Sequence, residues 1–287
     1  MLVDFHEEFS ALHGQSLLEQ AEYLNDAIDY ILKIYKSDKY PDPASVMIIG
    51  HSMGGVVAKT MFMLNNYQPG TINTIITLST PHVLPPAPFD WKISKIYDDM
   101  HQFWIDGYNL REDDTTTARS LRDVTMISIA GGTLDNTVCS DSANVGAFLP
   151  ASHGFTVFTT AIPRVWTGVD HLEILSCKQL VQVLVKAMLD IVDARRSSQV
   201  KSVSERMTIM KRAFLSGLEN RGSEPISLGK CITPCINGNG IHHTCSRFAD
   251  VFRPCQLFGY RRTTCYKRGT IHQRQSRDTV ASIWKQQ

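Results

Sequence analysis

Apolar positions in the first two thirds of the chain alternate between two periods. Val46-Met47-Ile48-Ile49 is an unbroken apolar run, Asn73-Thr74-Ile75-Ile76-Thr77-Leu78 a second, and Val124, Met126, Ile127 and Ile129 mark a third across residues 123–130. Short runs rich in β-branched residues, closed by Gly, Ser or Pro, are the pattern of strands buried on both faces. Between them the period lengthens. Leu17, Ala21, Leu24, Ile28, Ile31, Leu32 and Tyr35 recur at helical spacing behind Ser16-Leu17-Leu18-Glu19, which has capping-box form. Residues 56–62, 91–108, 178–193 and 204–219 read as further helices, with 91–108 placed to cover a site. Leu2-Val3-Asp4-Phe5 reads as the end of a strand, and Pro41-Asp42-Pro43 and Pro85-Pro86-Ala87-Pro88 break regular structure. Strands alternating with helices predict an α/β fold: a parallel sheet with helices on both faces.

The pattern degrades after about Ser197. From Lys230 onward neither period is sustained, apolar residues are sparse, and Gly, Arg and Cys are frequent. Three segments follow: an α/β domain over 1–200, a helical linker over 201–229, and a basic, cysteine-containing, poorly structured tail over 230–287. Charge divides along the same line. Residues 1–196 carry 14 Lys+Arg against 23 Asp+Glu, and residues 197–287 carry 15 against 5, within a net charge of +1. The N-terminus has acid where a secretory signal needs base, and no run of 18 apolar residues spans a membrane. Of seven cysteines, Cys139 and Cys177 lie in the acidic part and five in the tail, which argues against one disulfide framework. Cys231, Cys235, His242, His243 and Cys245 fit no common zinc spacing, so no metal or other cofactor is expected. Arg261-Arg262 and Lys267-Arg268 lie beside Tyr260 and Tyr266 without a recognisable domain, so no nucleic-acid partner is expected.

The chemistry concentrates at Gly50-His51-Ser52-Met53-Gly54-Gly55. A buried-type strand precedes it and a helix follows, the context a Gly-x-Ser-x-Gly nucleophile turn requires. Gly50 and Gly54 would remove colliding side chains, and Gly55 would let the helix pack close. A serine hydroxyl needs a histidine to take its proton and a carboxylate to orient that histidine, in the chain order Ser, Asp/Glu, His. Asp135 follows the third strand across Gly131-Gly132; Asp141, six residues on, is the alternative acid. His171 lies in the last loop before the 178–193 helix. His153 sits in a turn short of that helix, His51 should point away from Ser52, and His6, His13, His82 and His101 precede the acid. Asp170, whose side chain diverges from that of its neighbour His171, is expected to fix the loop rather than serve as the acid. The Met53 N–H supplies one oxyanion donor. For the second donor, His13-Gly14 is the only candidate.

Around this turn the sequence resembles a known family. Ala11-Leu12-His13-Gly14-Gln15, Gln20 through Ile28, Leu78-Ser79-Thr80-Pro81-His82, Ile129-Ala130-Gly131-Gly132 and Trp166 through Leu172 are similar to the fungal-type GPI inositol-deacylases, over about residues 2–220. The resemblance implies an α/β-hydrolase fold and hydrolysis of the acyl ester on the inositol of a GPI anchor. It implies Ser52 as nucleophile, His171 as base and Asp135 as acid, the GPI-anchor lipid as partner, and the endoplasmic reticulum membrane as location. Family members carry an upstream strand, a Gly-rich loop and membrane-spanning segments. The chain is therefore expected to be truncated at both ends, with its first strand or strands missing. A general lipase or carboxylesterase and an inactive fragment are the rival readings.

Overall fold

The computed structural model describes residues 1–5, 10–36, 38, 41–87, 89–109, 120–196, 199–217, 235–237 and 240–242. Two compact units divide the chain, Met1–Ser223 and Glu224–Gln287. In the first, four parallel strands lie in the order β1 (Val46–His51), β2 (Ile72–Leu78), β3 (Thr125–Ala130), β4 (Gly154–Phe158). The helices are α1 (Gly14–Ile34), α2 (Met53–Thr60), α3 (Trp91–Asn109), α4 (Lys178–Ile191) and α5 (Val203–Phe214).

The two-residue period of a strand sorts the sheet into two cores. Every residue of β2 is buried. Ile75 and Met126 point into one cluster with Leu17 and Ala21 of α1, Val56 and Val57 of α2, and Ile93, Tyr97, Met100 and Trp104 of α3. Ile76, Leu78, Ile127, Ile129 and Val157 point the other way, against Leu180, Leu184 and Ala187 of α4 and Met207, Met210 and Phe214 of α5. The parallel sheet with helices on both faces is therefore as expected from the alternation, and it is the architecture of an α/β-hydrolase sheet. Trp104 is fully buried and donates its indole N–H to the Lys59 carbonyl at 3.2 Å. Truncation of such a side chain to alanine costs about 3–5 kcal/mol.

Three local expectations are corrected. Residues 1–5 are not in a strand. Helix α1 begins at Gly14, with no side-chain cap at His13 and no capping box at Ser16. Its first turn is held instead by a distant carboxylate: Asp90 Oδ2 accepts from the Gly14 N–H at 2.9 Å while Asp90 Oδ1 accepts from Lys92 N–H at 2.9 Å. A Cβ on Gly14 would lie 2.8 Å from the Ile93 nitrogen, so glycine is what lets α1 approach α3. The third correction is an added element: β4 pairs with β3 from Met126↔Gly154 to Ala130↔Phe158.

Helix α5 starts with the capping box of Ser202 and Glu205. It then buries Arg206, 2% exposed, at the N-terminal ends of β2 and β3. The guanidinium donates to Thr74 Oγ1 (2.8 Å), Thr125 Oγ1 (3.0 Å) and the carbonyls of Asp123 (2.6 Å), Lys201 (3.0 Å) and Asn73. In the second unit β5 (Cys235–Asn237) and β6 (Gly240–His242) pair antiparallel. Cys231, His243, Cys245 and the basic and tyrosine residues from Tyr260 to Arg268 lie outside the described residues, as do His6 and Pro88.

Candidate active site

Ser52 occupies the turn between β1 and α2 with φ 52° and ψ −127°, a conformation L-residues rarely adopt. Its N–H donates to the Leu78 carbonyl at 2.9 Å, which holds the turn against the end of β2. The glycines divide the work differently from expectation. A Cβ on Gly50 would lie 2.6 Å from the Gly55 Cα, and one on Gly55 would strike Thr80 and Thr77. A Cβ on Gly54 would meet nothing within 4 Å, because that residue faces outward. The Gly50–Gly55 contact, not Gly54, lets strand and helix meet at this angle.

The side chains at 52, 135 and 171 come together. The Ser52 hydroxyl lies 2.9 Å from His171 Nε2, and His171 Nδ1 lies 3.2 Å from Asp135 Oδ2. The Asp135 side chain is 1% exposed and that of His171 14%. Asp135 Oδ1 accepts from the N–H groups of Thr137 (3.0 Å) and Val138 (2.9 Å), so one carboxylate closes its own turn and meets the histidine at once. Burial opposes the Asp135 charge. The Val138 N–H, the nearby Ser79 hydroxyl, His171 and the Thr137 N–H outweigh it and hold the carboxyl below its usual range. Asp141 lies apart, in the short turn Ser140–Ala143.

Asp170 Oδ1 accepts from the N–H groups of Leu172 (2.8 Å) and Glu173 (2.7 Å), fixing the loop as expected. Three other histidines have partners outside these contacts. His153 Nε2 donates to the Arg122 carbonyl at 2.8 Å, and His101 Nε2 to the His82 carbonyl at 2.8 Å. His82 is fully buried beside Thr77 Oγ1 at 2.8 Å, and burial pushes its pKa well down. Lys59, fully buried on α2, sits 3.7 Å from the centre of the Phe148 ring, and burial likewise pushes its pKa well down.

His51 does not point away. Its Nε2 lies 2.7 Å from the His171 carbonyl oxygen, so it belongs to the site. Gly14 does not offer a spare donor, since its N–H is committed to Asp90. Met53 is the first residue of α2, where helix geometry leaves the N–H without an intrahelical acceptor. Among the described residues there is no cluster of three or more His, Cys, Asp or Glu able to hold a metal. No described helix is long and apolar enough to cross a membrane. A groove of about 780 Å³ between α4 and α5, lined by Gln182, Lys186, Ile209 and Arg212 among others, includes none of Ser52, Asp135 and His171.

A parallel sheet carrying Ser, Asp and His in this order, with the serine on a strained strand-to-helix turn, defines a chain of the α/β-hydrolase class. It belongs to the family of the PGAP1-like alpha/beta domain, whose pattern matches residues 1–191. Relatives include the GPI inositol-deacylases of Neurospora crassa (51% identical over 224 residues), Aspergillus fumigatus (47% over 225) and Phaeosphaeria nodorum (47% over 225). Each match covers 76% of this chain and 18%, 19% and 21% of the respective relative, so the chain spans about a fifth of their length. A solved structure from Lactobacillus plantarum WCFS1, provisionally labelled a cell surface hydrolase, aligns over 70% of each chain with 16% identity and a TM-score of 0.40. That likeness is too slight to bear on the argument.

Proposed function

We propose that this chain is the hydrolytic domain of a GPI inositol-deacylase, with Ser52 as nucleophile, His171 as general base and Asp135 as its orienting acid. The observation that carries the reading is the run of contacts from Ser52 Oγ through His171 to Asp135, at 2.9 and 3.2 Å. Ser52 Oγ attacks the ester carbonyl as His171 Nε2 takes its proton. The Met53 N–H faces the developing oxyanion. His171 then gives the proton to the leaving inositol oxygen, and an acyl-serine remains. Water, deprotonated by His171, attacks that ester and the fatty acid leaves. Asp135 keeps the His171 Nδ1 protonated and balances the imidazolium throughout.

Leu134 (53% exposed), Leu172 (71%) and Trp166 (60%) stand on the two loops that carry the acid and the base. Exposed apolar side chains on these two loops suit a long acyl chain. The name of the relatives, GPI inositol-deacylase, points to the acyl-inositol of a GPI anchor as substrate; the sequence resemblance points to the endoplasmic reticulum membrane as the place of action. The test is incubation with an inositol-acylated GPI and mass analysis of the products. Release of the fatty acid with the glycerol-linked chains intact supports the reading. Turnover of simple esters alone would make the protein a general carboxylesterase.

A further inference from the structure

The end of β1 and the turn that follows it bring two side chains to the site, not one. Beside Ser52, the His51 Nε2 lies 2.7 Å from the backbone carbonyl oxygen of His171. The two imidazole rings have centroids 4.8 Å apart and are tilted by 45°. A carbonyl oxygen only accepts, so Nε2 carries the proton and donates it. The loop bearing His171 is otherwise held from elsewhere: the Val169 N–H donates to the Gly131 carbonyl at 3.1 Å, and Asp170 caps the turn that follows. Among the described residues, the His51 bond is the one that ties the backbone of this loop to the end of β1.

We propose that His51 is a positioning residue for His171: its Nε2–H anchors the backbone of the base, and its ring lies against the imidazole where positive charge develops. The proposal rests on the reading of Ser52, His171 and Asp135 as a hydrolytic triad. Nucleophile and base sit on elements 119 positions apart in the chain. A strut from the residue beside the nucleophile to the base fixes their separation directly.

The charge of the strut matters as much as its length. When His171 accepts the serine proton, Asp135 on its far side stabilises the imidazolium. A second positive charge on His51 would oppose it. Burial lowers the His51 pKa; the bond to the His171 carbonyl raises it, a charged His171 lowers it, and Asp135 raises it, with a net shift downward. These are the titratable groups that act on His51, since Asp170 is turned to its own loop. His51 is thus neutral at neutral pH. In acid it gains a charge beside the imidazole that must turn positive in the reaction, and that charge opposes the step.

The test uses the full chain with His51→Ala and His51→Gln. Glutamine places an amide N–H at similar reach and cannot become charged. Labelling by a fluorophosphonate should slow by roughly 10- to 100-fold in His51→Ala, because misplacement of about 1 Å costs about that much. His51→Gln should recover most of the loss at pH 7 and lose less of its rate in acid than the unsubstituted protein does. Nitrogen-15 NMR of the histidine rings gives a readout independent of turnover. His51 should be the Nε2–H tautomer, and the His171 Nδ1–H signal should be lost in His51→Ala and kept in His51→Gln. Labelling of His51→Ala at the original rate, or unchanged His171 ring signals in that variant, would overturn the proposal. Absence of labelling in the unsubstituted protein would sink the triad reading instead, and the NMR comparison would still decide whether His51 holds His171.

Discussion

Gly131 accepts a hydrogen bond from the Val169 N–H at 3.1 Å, and a Cβ on it would run into the Val169 carbonyl oxygen. This contact joins the loop of the acid to the loop of the base. Gly131→Ala should therefore push residues 166–171 away from Asp135 while leaving both cores intact. Fluorophosphonate labelling should fall by roughly 10²-fold. The circular dichroism spectrum should keep its helical signal. A labelling rate within a factor of two of the original would show that the two loops are not held through Gly131.

The buried bases make the fold sensitive to acid. Burial lowers the pKa of His101 from 6.5 to about 4, and that of His82 well below its ordinary value. Between those values the unfolded chain binds protons that the folded chain does not. Stability therefore rises with pH across this window and is lost as pH falls from about 6.5 toward 4, by at most about 1.4 kcal/mol per pH unit for each histidine. The depressed carboxyl of Asp135 adds its own loss only at lower pH, below the ordinary carboxylate range. Thermal unfolding should show a midpoint that drops steadily from pH 7 to pH 4.5, and less steeply in His101→Gln. A flat midpoint across that range would mean that these histidines are not buried as bases.

Much of this site is legible along the chain because its signals are local. The apolar run of β1, the glycines around Ser52 and the amphipathic helix after it lie within one window, and chain order selects Asp135 and His171 as the groups brought next to Ser52. What the chain conceals is nonlocal. The start of α1 is set by Asp90, 76 positions away, which no capping pattern at Ser16 can reveal. β4 opens on Gly154, which sits against Met126 and Leu149, and closes on the part-exposed Phe158, so its alternation is short and irregular. His51 is adjacent to Ser52 in sequence, but its partner is a backbone carbonyl 120 positions on. Peptide geometry sends neighbouring side chains apart; it does not say what folds back to meet them.

In the proposed reading, the exposed apolar side chains of the acid and base loops hold the acyl chain, apart from the chemistry at Ser52. Leu172 is 71% exposed beside His171, so Leu172→Asp should leave the cores and the Ser52–His171 contact undisturbed. Hydrolysis of a long-chain ester should fall by about tenfold, a loss of about 1.4 kcal/mol that fits the burial of one leucine. Hydrolysis of an acetyl ester should stay within twofold. Equal losses on both esters would place Leu172 in the chemistry rather than in chain binding.

In the proposed mechanism the hydroxyl of Ser52, activated by His171 and Asp135, attacks an ester. The most direct measurement is labelling of the full chain with a fluorophosphonate, followed by mass analysis of the modified peptide, for the protein and for Ser52→Ala. The adduct is expected on Ser52 and absent from the alanine variant, with labelling of His171→Ala lowered by at least about 10²-fold. Undiminished labelling of Ser52→Ala, or an adduct on another residue, would contradict the account.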